Sequence, residues 1–539
     1  MTREFLQIYK KYDFWLMGIL LIGLGIRIFH YIYNRSLWMD EIYLASSFMH
    51  MSYSDLAVRM LDYDQKAPIG FLWCVKFCVD IFGKGEMALR LIPFISGVAA
   101  LILFRNVCRY FLTPTGQILA FSIFAFAPAF IYHSVEIKQY STECLASVFS
   151  LYLFTKFNDK TVLSKKIYWG ITAACTVLFS FSIVFMLAGI ASGKIILDLI
   201  KKNWKTLFLN LVPFSLWAIA FVLTYFLFIS KHAESKWVVY WFKTYNNFMP
   251  LPPTNVAELK WFPSNFVKMM DYPLGMIWDF NHGADNVAEK ILKLPVIPGI
   301  LLFTGMLITF KRSYRNYRIM IFPILFMLLA SGLYLYPLLE RFWLFIAPVF
   351  IIYIAIGFEY FNYKINSKIL SYTLFFLIVG APLAQSAFYL AQPERFYKHK
   401  KSFEKEALLY INTNLKPNDT VYNYWNNAPG YSVYKKMLSL KYNAIEGKDF
   451  RKNSENIVTY NGHLQSDFRK FNGKKRVWLI YNTQFLTDIG DLIDTPTWYY
   501  KNNIGPDENL IKEMKKIGKP IQKLVYSDIT IWLFELQRT

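Results

Sequence analysis

Apolar runs of roughly 15 to 25 residues recur from Phe14 to Leu390, divided by short charged connections, and such a series has nowhere to go but a bilayer. Lipid offers no hydrogen bonds to a peptide group, so each run must close its own backbone as a helix. The chain therefore reads as a polytopic α-helical membrane protein. Its 539 residues are 55% hydrophobic and 19% aromatic, in keeping with that class. The formal charge of +22 would suggest a nucleic-acid partner in a soluble protein. Here most of the excess lies in connections between apolar runs, where it orients helices and meets lipid headgroups, so nucleic acid is excluded as a partner.

The expected crossings are Phe14–Tyr31, Met87–Phe104, Gly116–Tyr132, Tyr140–Phe154, Ile167–Phe181, Ile183–Ile200 and Leu207–Ile229. Ile291–Phe310, Ile319–Leu335, Phe342–Phe358 and Ile369–Leu390 complete the set of about eleven. Basic residues cluster in alternate connections: Arg3/Lys10/Lys11, Arg105/Arg109, Lys156 to Lys166, Lys201/Lys202/Lys205, Lys311 to Arg318 and Lys364/Lys368. The positive-inside rule makes these cytoplasmic, with the N-terminus inside and the C-terminal portion outside. Ala67–Phe82 would break that parity if it crossed. It is short, carries Lys76 and Asp80, and is expected as a juxtamembrane or re-entrant helix, although a genuine crossing offset elsewhere stays open. The first apolar run lacks a small-residue cleavage site and reads as a retained helix.

The membrane portion is assigned to residues 1–392, with a first outer loop at 34–86 and a long outer loop at 231–290 rich in Pro and Trp. From 393 to 539 the composition is that of a soluble α/β domain. Ser402–Leu415 and Leu510–Ile517 read as helices, and Thr420–Trp425, Arg476–Tyr481 and Thr530–Glu535 as strands. No Gly-rich phosphate loop follows these strands, which argues against nucleotide binding. Cys74, Cys78, Cys108, Cys144 and Cys175 lie in or beside apolar runs and suit packing rather than disulfides or metal.

Four polar constellations fall on the outer side. Asp40 and Glu41 follow the first crossing, where dehydrated carboxylates are costly, and are the catalytic candidates. A carboxylate there can act as general base, although Asp40 could equally cap a short helix. His133-Ser134-Val135-Glu136-Ile137-Lys138-Gln139-Tyr140 packs polar groups into a turn, with Glu136, Lys138 and Tyr140 as substrate-binding candidates. A solvated Glu136–Lys138 contact is the plainer alternative. Glu136 with His133, and Glu41 beside them, could gather a divalent ion, although nothing at metal-ligand spacing compels one. Tyr63-Asp64-Gln65-Lys66 precedes the juxtamembrane helix. Tyr63 is a substrate-binding candidate, and Lys66 either grips a lipid phosphate or snorkels beside headgroups. Arg341 can hold a phosphate through two parallel hydrogen bonds, with Glu340 as substrate-binding candidate fixing its rotamer, unless the two merely satisfy each other.

The order of these features resembles the GT-C glycosyltransferase superfamily. Asp-Glu follows the first span, Lys66-Ala67-Pro68 enters an apolar helix, and Ala88-Leu89-Arg90-Leu91-Ile92-Pro93 opens the next span. Glu136-Ile137-Lys138-Gln139-Tyr140 and Glu340-Arg341-Phe342-Trp343 follow in sequence. The chain is most similar to the family-39-like group of protein O-mannosyltransferases and lipid A aminoarabinose transferases. That resemblance implies about eleven spans with juxtamembrane helices in the first outer loop. It further implies transfer of a sugar, with inversion, from a polyprenyl-phosphate donor to a glycan, lipid or protein acceptor on the outer face of the plasma (inner) membrane. Asp40 then matches the base, Lys66 and Arg341 the donor-phosphate cations, and Glu136 the acid shaping the pocket. The Lys66 match is imperfect, because an alanine separates it from Pro68. The rival reading is a lipid-linked saccharide transporter or flippase, which would scatter polar groups through the bilayer and favour internal repeats; neither is evident.

Overall fold

Each run expected to cross overlaps one or more helices among the described residues. The protein is described by a computed structural model covering residues 3–230, 236–278, 293–365, 367–397, 402–484, 498–499, 505 and 508–537. Parts of the long outer loop and the first two residues expected in the Ile291–Phe310 crossing lie outside the described residues. In chain order the helices of the first half are α1 (Arg3–Tyr33), α2 (Met39–His50), α3 (Tyr53–Val58), α4 (Ile69–Phe82), α5 (Glu86–Phe111), α6 (Pro114–Phe126) and α7 (Pro128–His133). They continue as α8 (Tyr140–Phe157), α9 (Leu163–Ala174), α10 (Ile183–Ile200), α11 (Trp204–Thr224), α12 (Lys236–Thr244) and α13 (Val256–Asp271). The last of the apolar set are α14 (Val296–Arg312), α15 (Tyr314–Gly332), α16 (Ala347–Lys364) and α17 (Lys368–Ala391). Among the described residues, five helices are long and apolar enough by themselves to cross a membrane, α1, α5, α10 and α17 among them. The chain is a polytopic helical membrane protein.

Several boundaries differ from expectation: the Ile167–Phe181 run is α-helical only to Ala174, with a 3₁₀ turn at Cys175–Leu178, and α11 gives way to a π turn at Tyr225–Ile229. Two further differences have a plain backbone description. The Gly116–Tyr132 run is broken at Ala127, because Pro128 cannot donate to the carbonyl of Phe124. Arg27 makes good the loss from the neighbouring α1: its Nη2 donates to Phe124 O at 3.2 Å and its Nη1 to Ala125 O at 3.0 Å. The run expected as a helix from Phe342 opens instead with a 3₁₀ turn, Glu340–Trp343, and becomes α-helical at Ala347. The juxtamembrane expectation for Ala67–Phe82 corresponds to α4, whose 14 residues span only about 21 Å.

Helices α14 and α16 cross so closely that neither can carry a side chain at the contact. A Cβ on Gly305 would collide with the Tyr353 carbonyl, and one on Gly357 with that of Leu301. Both obstacles are backbone and cannot rotate away. Gly305→Leu or Gly357→Leu is therefore expected to abolish monodisperse, detergent-extractable protein. Gly18→Leu, where a Cβ meets nothing within 4 Å, should leave it intact. Size-exclusion chromatography of the solubilised variants checks this, and a normal profile for both substitutions at the crossing would refute the packing argument.

Beyond α17 the chain forms α18 (Glu404–Asn414), β1 (Asp419–Asn423), α19 (Ala428–Met437), β2 (Ile445–Glu446), α20 (Ile457–Phe468), β3 (Arg476–Asn482), α21 (Asn509–Met514), β4 (Gly518–Val525) and β5 (Ile529–Leu536). Its sheet has the order β2-β1-β3-β5-β4, parallel across β2, β1 and β3 and antiparallel at β5 and β4. The residues of β3 are almost all buried, as a central strand covered on both faces requires. Edge strand β4 carries Pro520 beside an irregular register, which a central position would not tolerate.

This sheet region packs on the segment that follows α1, residues 34–86. Leu37, Ile42, Phe48 and Phe71 share one apolar core with Leu408, Ile411, Tyr434 and Trp478. Polar bonds fix the register of that contact. Tyr434 OH lies 3.0 Å from Ser36 Oγ and accepts from Leu37 N at 2.6 Å, and Lys405 Nζ pairs with Glu86 at 2.8 Å. The stretch leading to Asp40 is thereby held by residues that follow α17.

Candidate functional site

The chain leaves α1 through a short extended stretch and re-enters helix at Met39, which puts Asp40 and Glu41 in the first turn of α2, where the helix dipole favours anions. Side by side in sequence, the two acids point to different worlds. Glu41 is fully buried. Arg90 Nε and Nη2 donate to its two oxygens at 2.9 and 2.7 Å, and Ile137 N donates at 2.9 Å. Trp38 N adds a bond at 3.3 Å, and the Arg35 guanidinium lies at 3.4 Å. With both oxygens filled, Glu41 ties α2, α5 and the 134–139 turn together.

Asp40 is less enclosed. Its side chain remains 26% exposed, and its Oδ2 accepts from Arg341 Nη1 at 2.7 Å. Burial pushes its carboxyl up, but the Arg341 and Lys138 charges outweigh this and hold it below the usual carboxylate value. The group is thus ionised at neutral pH. Arg341 lies over the ring of Tyr140, its centre 5.6 Å from the centroid. Its ion pair is with Asp40, not with Glu340 as the sequence suggested; Glu340 stands half-buried at the start of the same 3₁₀ turn.

Glu136 is fully buried behind Asp40. It accepts from Trp38 Nε1 at 2.9 Å and lies 2.6 Å from His133 Nδ1, whose Nε2 meets the Tyr272 hydroxyl. The chain Trp38–Glu136–His133–Tyr272 therefore joins the first outer loop to the end of α13. The two residues suggested for a divalent ion, His133 and Glu136, are occupied with each other. Among the described residues no three His, Cys, Asp or Glu side chains gather as a metal site.

Lys138 Nζ donates to Gln65 Oε1 at 2.5 Å, and dehydration pushes its pKa down while Asp40 opposes the shift. Gln65 follows a turn in which Tyr63 and Asp64 both take left-handed backbone angles (φ of 56° and 51°), a costly arrangement for non-glycine residues. Tyr63 stacks on Tyr43 of α2 at 4.4 Å. Lys66, next in the chain, is half-buried and makes no hydrogen bond or ion pair among the described residues. Burial lowers its pKa, and Asp64 partly opposes this.

The structure thus brings Asp40, Arg341, Lys138, Glu136, Tyr140 and His133 into one linked cluster and leaves Lys66 and Glu340 at its margin. Arg90, Arg35, Trp38, Gln65 and Tyr272 were not singled out by sequence. Arg90 carried a signal: an arginine inside a membrane helix must have a partner. Nothing local to Gln65 or Tyr272 marks them.

Residues 66–240 match the family model described as dolichyl-phosphate-mannose-protein mannosyltransferase, which bears out the resemblance to GT-C glycosyltransferases. The matched stretch includes Lys66, Glu136, Lys138 and Tyr140, whereas Asp40 and Arg341 lie outside it. No curated protein matches the chain in sequence. Among solved structures, ArnT from Cupriavidus metallidurans in the apo state is 13% identical with a TM-score of 0.42, covering 97% of this chain and 98% of that one. The same protein bound to undecaprenyl phosphate aligns at 12% identity and TM-score 0.42, covering 96% and 98%.

Proposed function

We propose that the chain is an integral-membrane glycosyltransferase that moves a sugar from a polyprenyl-phosphate carrier to a hydroxyl acceptor on the outer face of the plasma membrane. In this reading residues 1–392 form a catalytic portion of about eleven crossings with a cytoplasmic N-terminus, and residues 393–539 form an extracytoplasmic domain. The family match supports the donor class. The observation that carries the site is the 2.7 Å pair between Asp40 and Arg341, a base candidate and a phosphate-binding cation held in contact at the surface.

The pair suggests an exchange of partners. A carrier phosphate entering the cluster competes for the Arg341 guanidinium, which can bind it through two parallel hydrogen bonds. Lys138 and Lys66 add positive charge on the same side. Asp40, freed from its partner, takes the proton of the acceptor hydroxyl as that oxygen attacks the anomeric carbon. The bond from that carbon to the phosphate oxygen breaks on the opposite face, so configuration inverts, and the lipid phosphate leaves with the electron pair. The cations stabilise the charge that develops on it.

Removing Arg341 takes away a cation that keeps the Asp40 proton off. Arg341→Ala should therefore raise the Asp40 pKa, so that the acid-side fall of kcat/KM begins at higher pH than in wild type. Donor KM should rise as well. A full pH–rate profile checks both, and an unmoved acid limb would remove Arg341 from contact with the base. The function itself is tested with membranes and a radiolabelled polyprenyl-phosphate sugar. Label passing to an acceptor supports the enzyme, whereas label crossing sealed vesicles without transfer supports a flippase.

A further inference from the structure

At the far end of α8, some 18 residues and about 27 Å from the Asp40 cluster, a second polar site is built into the protein. A cavity of about 710 Å³ lies between the ends of α8 and α10, the entry to α11 and the start of α15. Its wall carries Lys160, Lys194, Lys201, Arg315 and Arg318 against Asp159 and Asp198.

Asp159 is paired with a cation, whereas Asp198 is bonded to a neutral amide and keeps its charge. Arg315 Nη1 pairs with Asp159 at 3.0 Å, and Asp198 accepts from Asn210 Nδ2 at 2.7 Å. Among the described residues none of Lys160, Lys194, Lys201 and Arg318 has a carboxylate within ion-pair distance, so the wall has an excess of unneutralised positive charge.

Lys194 is the telling residue. It is only 4% exposed, and its one hydrogen bond among the described residues reaches a neutral amide, Asn158 Oδ1, at the long distance of 3.5 Å. Lys166, buried close by, shows what a satisfied ammonium looks like here. It donates to Phe157 O, Asn158 O and Asn210 Oδ1 at 3.2, 3.1 and 2.7 Å. For Lys194, Asp198 and Asp159 act only from beyond ion-pair distance. At the wall of a cavity where five cations face two carboxylates, a buried ammonium so poorly bonded has room for a direct anionic partner.

The helices around the cavity include α10 and α11, both long and apolar enough to cross a membrane, so their ends lie at headgroup depth. We propose that the cavity holds the phosphate headgroup of an anionic phospholipid from the leaflet opposite the Asp40 cluster. Lys194 would bind the phosphate from within, with Lys201 and Arg318 binding it from the rim. Basic pockets between membrane helices bind such headgroups by this chemistry. The proposal does not depend on the transfer reaction, and none of its residues belongs to the Asp40 cluster.

The test uses full-length protein, delipidated in detergent, with lipid retention read by native mass spectrometry. Wild type should retain phosphatidylglycerol and not phosphatidylcholine. A Lys201→Ala/Arg318→Ala variant should bind phosphatidylglycerol about 25-fold more weakly, at about fivefold for each cation lost. Its chromatographic profile and transfer activity should stay as in wild type. Lys194→Met serves as the second variant and should lose the selectivity between the two lipids. Equal retention of both lipids by wild type, or undiminished phosphatidylglycerol binding by the double variant, would overturn the proposal. Displacement of the lipid by millimolar inorganic phosphate alone would overturn the lipid source in favour of a soluble anion.

Discussion

Purified Asp40→Asn protein should fold and bind donor like wild type while turning over about 10²- to 10⁴-fold more slowly, the usual contribution of a positioned general base. The substitution keeps shape: an asparagine Oδ1 can still accept from the Arg341 guanidinium that now lies 2.7 Å from Asp40. What it removes is the capacity to hold a proton. Because product release can mask a slowed chemical step, the loss should be read in single-turnover experiments as well as in kcat. Normal single-turnover rates in a well-folded Asp40→Asn preparation would withdraw the base assignment outright.

Glu41→Ala should act by a different route and with comparable severity. It would strand the Arg90 guanidinium, only 2% exposed, without the carboxylate that takes two of its hydrogen bonds. Breaking one side of a buried pair typically costs about 3–5 kcal/mol, a large share of the roughly 5–15 kcal/mol that holds a domain together. The expected outcome is a loss of thermal stability and of extractable protein, with Glu41→Ala/Arg90→Met partly restored because both charges are gone. The conservative Glu41→Gln separates the positioning reading from the catalytic one drawn from sequence. If Glu41 were the proton acceptor, Glu41→Gln would lose turnover far beyond what its loss of stability explains, whereas a purely positioning Glu41 predicts a folded Glu41→Gln fraction that still turns over. Wild-type stability in Glu41→Ala would contradict the positioning role.

The helices were legible because lipid leaves a backbone so few choices: α10 runs over the residues expected of it, Ile183–Ile200. Boundaries were lost where local chemistry overrode hydropathy, at Pro128 and in the 3₁₀ turn before Ala347, since an apolar count does not register a missing donor. Strands β1, β3 and β5 were visible from their apolar β-branched and aromatic runs, whereas β4, an edge strand with Lys519, Pro520 and Lys523, was not among the expected strands. At the site, clustering of acids and bases beyond the first span pointed to Asp40, Glu136, Lys138 and Arg341. It offered both Asp40 and Glu41 and favoured Asp40 as the base; the contacts that bury Glu41, from Arg90 and from Ile137 N, come from 49 and 96 residues away and were not visible. Nor could it find the Gln65–Lys138 bond or the Tyr272–His133 contact, each made by segments distant in the chain.

The claim beneath all of this is that Asp40 and Arg341 serve one reacting centre. A double-mutant cycle on transfer by purified protein tests it most directly, with kcat/KM measured for wild type, Asp40→Asn, Arg341→Ala and the double variant. If the two act together, the double variant should lose little more than the worse of the single ones. Losses that multiply would mean that the two side chains work independently, contact or no contact.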